Sequence, residues 1–332
     1  MNKEHASHQA TIPVRPLAHA RSAASEVLVV LVNYNNTADT IDCINSIKEN
    51  EHKTDYKIIL IDNGSKDFDQ SKLAALFPEI EIVISKKNLG FSGGVNIGIN
   101  KAIADHTPYI MLLNNDTIAS PNFISGLLET LKNNPQYSIV APLITFYDNP
   151  DIIWFRGGSF NKYTPITRHI NMNKNKNLFN KKTFPVEFIT GCCMLIKTDV
   201  FNQVGLFDEQ YFLYNEDLDF CYRCRRKGLE LAVNPTVEIM HKVSGASNKS
   251  KNTTLDPHRF TRIKAYYSAR NDLIFIKKNL RGLPKLTSLL SAFTIKYPYF
   301  ILHLLKKNRL AELKEYFRGI RDGIKYKISK HE

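Results

Sequence analysis

Residues 27–36 read VLVVLVNYNN, six strongly apolar residues followed directly by four polar ones, and this stretch decides the fold class. An unbroken run of Val and Leu predicts a β-strand that is buried on both faces. Strands of this kind occur in parallel sheets whose faces are covered by helices, and the Asn-rich break marks the carboxyl end of the strand. The stretch therefore predicts a central strand of an α/β protein.

Helical and strand patterns alternate along the next hundred residues. Some segments repeat apolar residues at helical spacing, whereas others are short runs of Ile, Val and Leu that are typical of strands. The predicted elements are helix 40–48, strand 57–61, strand 80–85, helix 94–104, strand 109–113 and helix 121–132. This alternation predicts crossover connections, and hence a doubly wound, mostly parallel Rossmann-like sheet over residues 27–140.

A later helix carries clear end signals. Residues 216–227 begin with acidic side chains, end with basic ones and are followed by Gly228, an order that matches the helix dipole. We expect Asn215 to cap this helix. Regular structure is also predicted over 188–197, and a strand over 237–240.

The composition is that of a globular protein. Of the 332 residues, 43% are hydrophobic and 23% are charged, which argues against a disordered chain or a collagen-like repeat. The five cysteines form no disulfide framework and residues 1–26 lack a signal-peptide pattern, so we expect a cytoplasmic protein. Residues 1–25 are expected to be a disordered leader. The Cys221-x-x-Cys224 spacing allows a zinc site, but core packing is favoured because no second spaced pair exists.

Positive charge is concentrated in the last quarter of the chain. The net charge is +13, and residues 241–332 hold 21 of the 45 Lys and Arg residues but only 6 of the 32 acidic ones. Such a tail is typical of contact with nucleic acid or an anionic membrane, with a merely solvated basic face as the alternative. Lys296 interrupts the apolar run 286–305, so surface attachment is favoured over a membrane span. From Leu310 onward we predict a basic amphipathic helix with the apolar stripe Leu313, Phe317, Ile320, Ile324 and Ile328.

Polar clusters follow three of the predicted strands, at 33–35, 62–65 and 114–116. Ligands of open α/β sheets bind at the carboxyl ends of strands, although each cluster alone is equally typical of a turn. A glycine-rich turn, KNLGFSGGVN at 87–96, precedes a predicted helix and suits the approach of a phosphate. Because its spacing is not G-x-G-x-x-G and the chain has no P-loop lysine motif, a dehydrogenase or an NTPase is disfavoured.

Three side chains are candidates for chemistry at this sheet edge. Asp116 supplies a carboxylate of the kind that holds Mg²⁺ or Mn²⁺ against a diphosphate. Asp217 lies in the first turn of the helix at 216–227, where we expect it to stay ionised and to accept a proton from a hydroxyl group; simple helix capping is the alternative. His241 follows a predicted strand and is a candidate metal ligand, with a structural histidine as the alternative.

The order of these motifs resembles glycosyltransferase family 2, in the rhamnosyltransferase-like branch that builds bacterial surface polysaccharides. The resemblance covers residues 27–275 and rests on VVLVNYN at 29–35, IDNGS at 61–65, NLGFSGGVNIG at 88–98, LLNND at 112–116, GLFDE at 205–209 and FLYNEDLD at 212–219, with His241 and Ser247. It implies a GT-A fold, a nucleotide-sugar donor, Mn²⁺ or Mg²⁺ as cofactor and inversion at the anomeric carbon. Arg270-Asn271 matches a further motif of the family, whose role is left open.

The resemblance also implies roles for individual residues. Asp116 and His241 would bind the metal ion, and Asp217 would be the general base, with Glu216 beside it as a second catalytic candidate. The nucleotide sugar would be bound by a set of polar and glycine residues near the strand ends: Val32, Asn33, Tyr34, Asp62, Asn88, Gly90, Gly94, Asn96, Asn114 and Asn115. The sequence departs from the family pattern at 114–116, which reads Asn-Asn-Asp, so the first acid of the D-x-D metal motif is missing.

We therefore expect a GT-A domain at 26–275, with a nucleotide-binding half at 26–117 and an acceptor-binding half at 118–275, followed by a basic, helical, membrane-associating extension at 276–332. The expected reaction moves a sugar from a nucleotide sugar, first dTDP-rhamnose and next a UDP-sugar, to a hydroxyl of a lipid-linked or polysaccharide acceptor in O-antigen or capsule synthesis. The expected location is the cytoplasmic face of the membrane, bound peripherally and without nucleic acid. The alternative is a non-catalytic nucleotide-sugar or polyanion-binding protein of the same fold.

Overall fold

A central sheet of ten strands organises the computed structural model, which describes residues 25–164, 166–243 and 261–328. The strands are β1 (Val27–Asn33), β2 (Tyr56–Asp62), β3 (Glu81–Ile84), β4 (Tyr109–Asn114), β5 (Thr117–Ala119), β6 (Tyr137–Phe146), β7 (Asn149–Phe155), β8 (Gly158–Asn161), β9 (Ile166–His169), β10 (Phe184–Val186), β11 (Cys193–Lys197) and β12 (Glu230–His241). Strands β8 and β9 form a separate hairpin. The helices are α1 (Thr37–Asn50), α2 (Gln70–Leu76), α3 (Gly90–Ala104), α4 (Phe123–Asn133), α5 (Val200–Val204), α6 (Glu216–Arg226), α7 (Arg262–Asn279), α8 (Gly282–Ser291), α9 (Tyr297–Lys306) and α10 (Leu310–Lys325).

The amino-terminal half of the sheet is parallel, as predicted. Strand β1 lies between β2 and β4, and β3 pairs with β2, so the order β4-β1-β2-β3 is that of a doubly wound sheet. Residues 27–31 of β1 are buried because helices cover both faces of the sheet, and Val32 near the end of the strand is partly buried. Asn33 is in register with Asp62, and Val32 with Asn114, so the polar residues that follow β1, β2 and β4 reach the same edge.

The second half of the sheet is mixed. Strand β11 pairs antiparallel with both β4 and β6, whereas β12 pairs parallel with β6. Of the predicted regular region 188–197, only Cys193–Lys197 is a strand. Strand β12 begins at Glu230, seven residues before the predicted start, because a register shift between Asn234 and Glu238 lets the ladder pass the segment that contains Pro235.

The start of α3 and the cap of α6 differ from the sequence prediction, and α1 and α4 begin at Thr37 and Phe123 instead of 40 and 121. Helix α3 begins at Gly90 instead of 94, where the Gly90 N–H donates to Asn88 Oδ1 at 2.8 Å and the Gly90 φ is +74°. Asn215 occupies the N-cap position of α6, as expected, but its backbone is left-handed and its side chain makes no capping bond, because that side chain donates to Asp272 instead. The predicted end at Gly228 is confirmed, since that glycine follows the helix with a φ of +81°.

The last helix, α10, packs on the domain through its glycines. Gly319 and Gly323 are buried and lie against α7, where the absence of a side chain allows the backbones of the two helices to approach closely. Tyr316 of α10 is also buried and contacts α9. Two members of the predicted apolar stripe, Phe317 and Ile324, are about half exposed.

The apolar segment before α10 is one continuous helical stretch. Residues Gly282–Lys306 span 25 residues through α8, a π-helical turn at Ala292–Lys296, and α9. Its length and apolar character would allow it to cross a membrane, and 28% of its most apolar part is buried.

All five cysteines are buried and free, which agrees with the core-packing interpretation.

Candidate active site

The three polar clusters at the strand ends form one hydrogen-bonded network. Asn33, which is fully buried, donates through Nδ2 to Asp62 Oδ1 at 2.9 Å and to Ser65 Oγ at 3.2 Å. Its Oδ1 accepts from Thr40 Oγ1 at 3.0 Å and from Asn115 Nδ2 at 3.4 Å. The Asn33 carboxamide therefore joins the ends of β1 and β2 and the segment after β4. Three independent turns would not need such a shared hydrogen-bonding residue.

The glycine-rich turn is tied to the same edge by a residue that the sequence prediction did not single out. Asn63 Nδ2 donates to the Gly90 carbonyl at 2.9 Å and to Asn88 Oδ1 at 3.2 Å, while its Oδ1 accepts from the Leu89 N–H at 2.9 Å. A side chain at Gly94 would contact Val32 at 2.9 Å. Helix α3 therefore begins next to the strand edge, with the Gly90 N–H bonded to Asn88 and the Phe91 N–H bonded to the Phe212 carbonyl.

The remaining predicted donor-binding residues occupy different surroundings. Tyr34 and Asn114 are half-buried at the ends of β1 and β4. Asn96 lies on the second turn of α3, where its Nδ2 donates to the Phe207 carbonyl at 2.9 Å and its Oδ1 accepts from the Phe207 N–H at 3.1 Å. These bonds commit the Asn96 side chain to fixing the loop before α6, and its role in donor binding stays a prediction.

The two predicted metal ligands lie in contact. His241, the last residue of β12, has Nε2 3.0 Å from Asp116 Oδ1, and both side chains are buried. The ring of Trp154 packs edge-on against His241 with ring centroids 4.4 Å apart. The Asp116 carbonyl also accepts from the Lys242 N–H at 2.9 Å, which fixes the end of β12 beside β5.

A carboxylate oxygen and an imidazole nitrogen suit Mn²⁺ or Mg²⁺, with the nitrogen ligand favouring Mn²⁺. His241 Nδ1 is buried and has no hydrogen-bond partner within the described residues, whereas Nε2 and Asp116 Oδ1 face each other. Among those residues no group of three or more His, Cys, Asp or Glu side chains could hold a metal ion. Asp116 and His241 can supply two ligands to a cation. The remaining ligands of such a cation would come from a diphosphate and water.

The first turn of α6 lies beside the end of β4. Asp217 Oδ2 accepts from the Gly191 N–H at 3.1 Å, and the carbonyl of the next residue, Cys192, accepts from the Asn114 N–H at 2.8 Å. Asp217 Oδ1 accepts from the Leu218 N–H at 2.7 Å. Gly191 and Cys192 thus connect Asp217 to the end of β4, at the same edge of the sheet as the polar network.

Burial controls the acid–base properties of Glu216 and Asp217. Burial, and then the neighbouring Asp217 charge, raise the pKa of Glu216 well above its ordinary value. Burial also raises the pKa of Asp217, although hydrogen bonds from Gly191, Leu218 and Thr190 oppose the shift. Burial therefore works against the expectation that the helix start keeps Asp217 ionised, because desolvation outweighs these hydrogen bonds. The Glu216 Oε2 atom has no hydrogen-bond partner in the part of the chain that the structure describes.

The doubly wound, mostly parallel sheet with its polar residues gathered at one edge is the architecture of a GT-A protein. A sequence profile of the family described as "Glycosyl transferase family 2" matches residues 28–205. The chain belongs to this family and is a rhamnosyltransferase-like glycosyltransferase. The family assignment favours the enzyme over the non-catalytic alternative.

Relatives and solved structures agree with this assignment. The chain is 22% identical over 302 residues to the dTDP-rhamnosyl transferase RfbF of Shigella flexneri, covering 91% of this chain and 96% of that protein. It is 26% identical over 226 residues to the N-acetylglucosaminyl-diphospho-decaprenol L-rhamnosyltransferase of Mycobacterium tuberculosis, covering 60% of this chain and 69% of that protein. The mannosyltransferase PcManGT of Pyrobaculum calidifontis, solved with GDP-Man and Mn²⁺, has a TM-score of 0.53 at 12% identity over 95% of this chain and 80% of that one.

Proposed function

We propose that this glycosyltransferase is an inverting, metal-dependent enzyme that moves a sugar from a nucleotide sugar to a hydroxyl of a lipid-linked or polysaccharide acceptor in bacterial surface-polysaccharide synthesis. The single observation that carries the proposal is the convergence of the Asn33 network, the Asp116–His241 pair and Asp217 on one edge of the sheet. Donor, cation and acceptor each have a matching group there. In this proposal residues 26–117 bind the donor and residues 118–275 bind the acceptor.

The donor half would hold the nucleotide in place before reaction. Asp62 accepts hydrogen bonds from base-edge N–H groups, the Tyr34 ring covers the base, and the start of α3 at Gly90 faces the phosphates. The remaining donor contacts come from Val32, Asn33, Asn88, Gly94, Asn96, Asn114 and Asn115. Asp116 and His241 would hold Mn²⁺ or Mg²⁺, which when bound stabilises the negative charge of the departing diphosphate.

Asp217 would act as the general base. Its carboxylate accepts the proton of the acceptor hydroxyl while the acceptor oxygen forms a bond to the anomeric carbon. The bond from that carbon to the diphosphate breaks with its electron pair, and the nucleoside diphosphate leaves from the opposite face, which inverts the centre. The raised pKa of Asp217 strengthens it as a base, and burial raises the pKa of its neighbour Glu216 well above the ordinary value.

The donor is proposed to be dTDP-rhamnose, with UDP-sugars next. The support is the printed function of two relatives, one a dTDP-rhamnosyl transferase and one an L-rhamnosyltransferase that acts on a diphospho-decaprenol-linked sugar. The test is thermal unfolding and nucleotide release with a panel of dTDP-, UDP- and GDP-sugars in Mn²⁺, Mg²⁺ or EDTA. We expect one nucleotide sugar to raise the unfolding temperature of the protein and to release its nucleotide, and to do both only when the metal is present. Metal-independent stabilisation would contradict the metal assignment, and no response to any nucleotide would contradict the donor class.

Attachment to an anionic membrane surface is proposed for the carboxyl-terminal helices. Their apolar outer face comprises six side chains that are each 62–65% exposed: Leu283, Leu286, Leu290, Ile295, Tyr299 and Leu302. Lys296, the charge within this segment, turns inward and pairs with Asp272 at 2.6 Å, so it does not interrupt the face. Arg281 precedes the face, Lys285 lies near its beginning, and Lys306 and Lys307 follow it, where they would contact lipid phosphates.

Co-sedimentation tests this attachment. We expect binding to vesicles that contain phosphatidylglycerol, weak binding to phosphatidylcholine vesicles and no stable binding to duplex DNA at 150 mM salt, a condition chosen because charge-driven binding weakens with salt at about this concentration. Replacing Leu286 and Leu290 by Ser should abolish vesicle binding. Replacing Leu178 by Ser is the matched control, since this Leu is also exposed but lies outside the outer face. Equal loss in both variants, or preference for DNA, would contradict the proposal.

A further inference from the structure

The segment before α6 has a strained backbone. Phe212, Tyr214 and Asn215 have φ values of +63°, +69° and +69°, the left-handed region that side chains other than glycine rarely adopt. Three such residues within four positions persist only where surrounding contacts hold them, and such strain concentrates at functional sites. The segment leads directly into Glu216 and Asp217.

One side chain on α7 holds most of this segment. Asn271 is fully buried, and its Nδ2 donates to the carbonyls of Tyr211, Leu213 and Tyr214 at 2.9, 2.8 and 2.7 Å. Its Oδ1 accepts from Arg270 Nε at 3.0 Å, which fixes the direction of the amide. An amide that bridges three carbonyls of one short segment determines the path of that segment.

The neighbours of Asn271 complete the clamp. Arg270 lies over the ring of Tyr267 at 5.1 Å, and that ring stacks on Phe212 with centroids 5.1 Å apart. Asp272 Oδ1 accepts from Asn215 Nδ2 at 3.2 Å, and Asp272 Oδ2 pairs with Lys296. The sequence prediction left the Arg270-Asn271 motif without a role, and these contacts supply one.

The clamped segment also touches the donor side. The Phe212 carbonyl accepts from the Phe91 N–H at 2.7 Å, at the start of α3, and Gly90 packs against the Phe212 carbonyl so closely that a side chain would not fit. The segment therefore lies between the start of α3, proposed to face the donor phosphates, and Asp217 at the start of α6.

We propose that Asn271 is a positioning residue for the reaction: it holds the left-handed segment 212–215 so that Asp217 is aligned with the donor bound at α3. This inference rests on the proposed role of Asp217 as the base. Asn271 touches neither substrate nor metal in this account, and it acts through the backbone between Tyr211 and Asn215.

The test compares Asn271→Ala with Asn279→Ala. Asn279 is a matched control because it is also a buried asparagine on α7 whose amide makes a hydrogen bond to α6, at Asp219 Oδ1. We expect Asn271→Ala to lower kcat by about 100-fold through misplacement of the base, with nucleotide affinity nearly unchanged, and Asn279→Ala to lower only thermal stability. Asn271→Asp, which keeps the volume but removes the donors, should be as slow as Asn271→Ala. Tyr267→Leu removes the half-buried ring that stacks on Phe212 and so weakens the clamp. It replaces the Asn271 variants in this test if they do not fold.

A double variant separates positioning from general destabilisation. If Asn271 acts through Asp217, Asn271→Ala combined with Asp217→Asn will be no slower than Asp217→Asn alone. Hydrogen exchange should accelerate in residues 211–217 of Asn271→Ala and not of Asn279→Ala. Equal kcat in the two Asn→Ala variants, or additive losses in the double variant, would overturn the inference. A fully active Asp217→Asn would instead reject the assignment of Asp217 as the base. In that case hydrogen exchange in residues 211–217 would still test whether Asn271 holds the segment.

Discussion

Asp116, which is buried, and Asp217, which is half-buried, lie at one edge of the same sheet, but their neighbours differ in kind. Asp116 faces an imidazole nitrogen at 3.0 Å, a second group that can bind a cation. Asp217 is next to Glu216 and accepts backbone hydrogen bonds, and its pKa is raised. In the proposed mechanism the same type of side chain holds a metal ion in one place and accepts a proton in the other. The two roles are assigned from the surroundings of each aspartate, since the residue type is the same.

The largest expected effect separates the two aspartates by rate. Asp217→Asn should lower kcat for nucleotide release by about 10³-fold, since it removes the base while keeping the size and the hydrogen-bond geometry of the side chain. The affinity for the nucleoside diphosphate with Mn²⁺ should stay at the wild-type value. A steady-state assay with the nucleotide sugar selected by the panel checks this prediction, and an unchanged kcat would remove Asp217 from the reaction.

The second effect is on metal binding, which can be measured by fluorescence without an enzymatic assay. Trp154 is the single tryptophan of the chain and packs against His241, so paramagnetic Mn²⁺ at the Asp116–His241 pair should quench its fluorescence. Asp116→Asn and His241→Ala should lose the quenching. Asp148→Asn, an exposed carboxylate in the turn next to the end of β12, should keep it. Quenching that survives in the Asp116 and His241 variants would place the metal elsewhere.

The third effect is on the pH profile. Because the Asp217 pKa is raised, kcat should fall as the pH drops through a value above the ordinary aspartate pKa of about 3.9. The residual activity of Asp217→Asn should lack this acid limb, whereas Asp116→Asn should retain it. A limb that persists in Asp217→Asn would assign the titration to another group.

The smallest effect is on stability. The pKa of Glu216 is raised in the folded state, so its contribution to stability is present below the unfolded carboxyl pKa of about 4.3 and is lost as the pH rises through the folded value. Glu216→Gln removes this loss. Its Tm at pH 8 should exceed that of the wild type by roughly 2–4 °C, with the difference vanishing near pH 4. A lower Tm at pH 8 would show that ionised Glu216 is stabilised by the fold.

The sequence predicted the parts of the molecule that local patterns encode. The run at 27–32, the polar residues after each parallel strand and the end of α6 at Gly228 follow from residue type and spacing, and the structure confirms their positions. It did not predict the left-handed path at 212–215, because that path depends on Asn271, more than fifty residues later in the chain. The role of Asn63 and the inward turn of Lys296 were missed for the same reason.

The measurement that tests the account most directly is calorimetric binding of the nucleoside diphosphate, with Mn²⁺ and with EDTA, to the wild type, Asp116→Asn and Asp217→Asn. We predict that Mn²⁺ strengthens binding to the wild type and to Asp217→Asn alike, and that Asp116→Asn loses this metal-dependent gain. Equal losses in both variants, or a gain that survives in Asp116→Asn, would contradict the division of roles between the two aspartates.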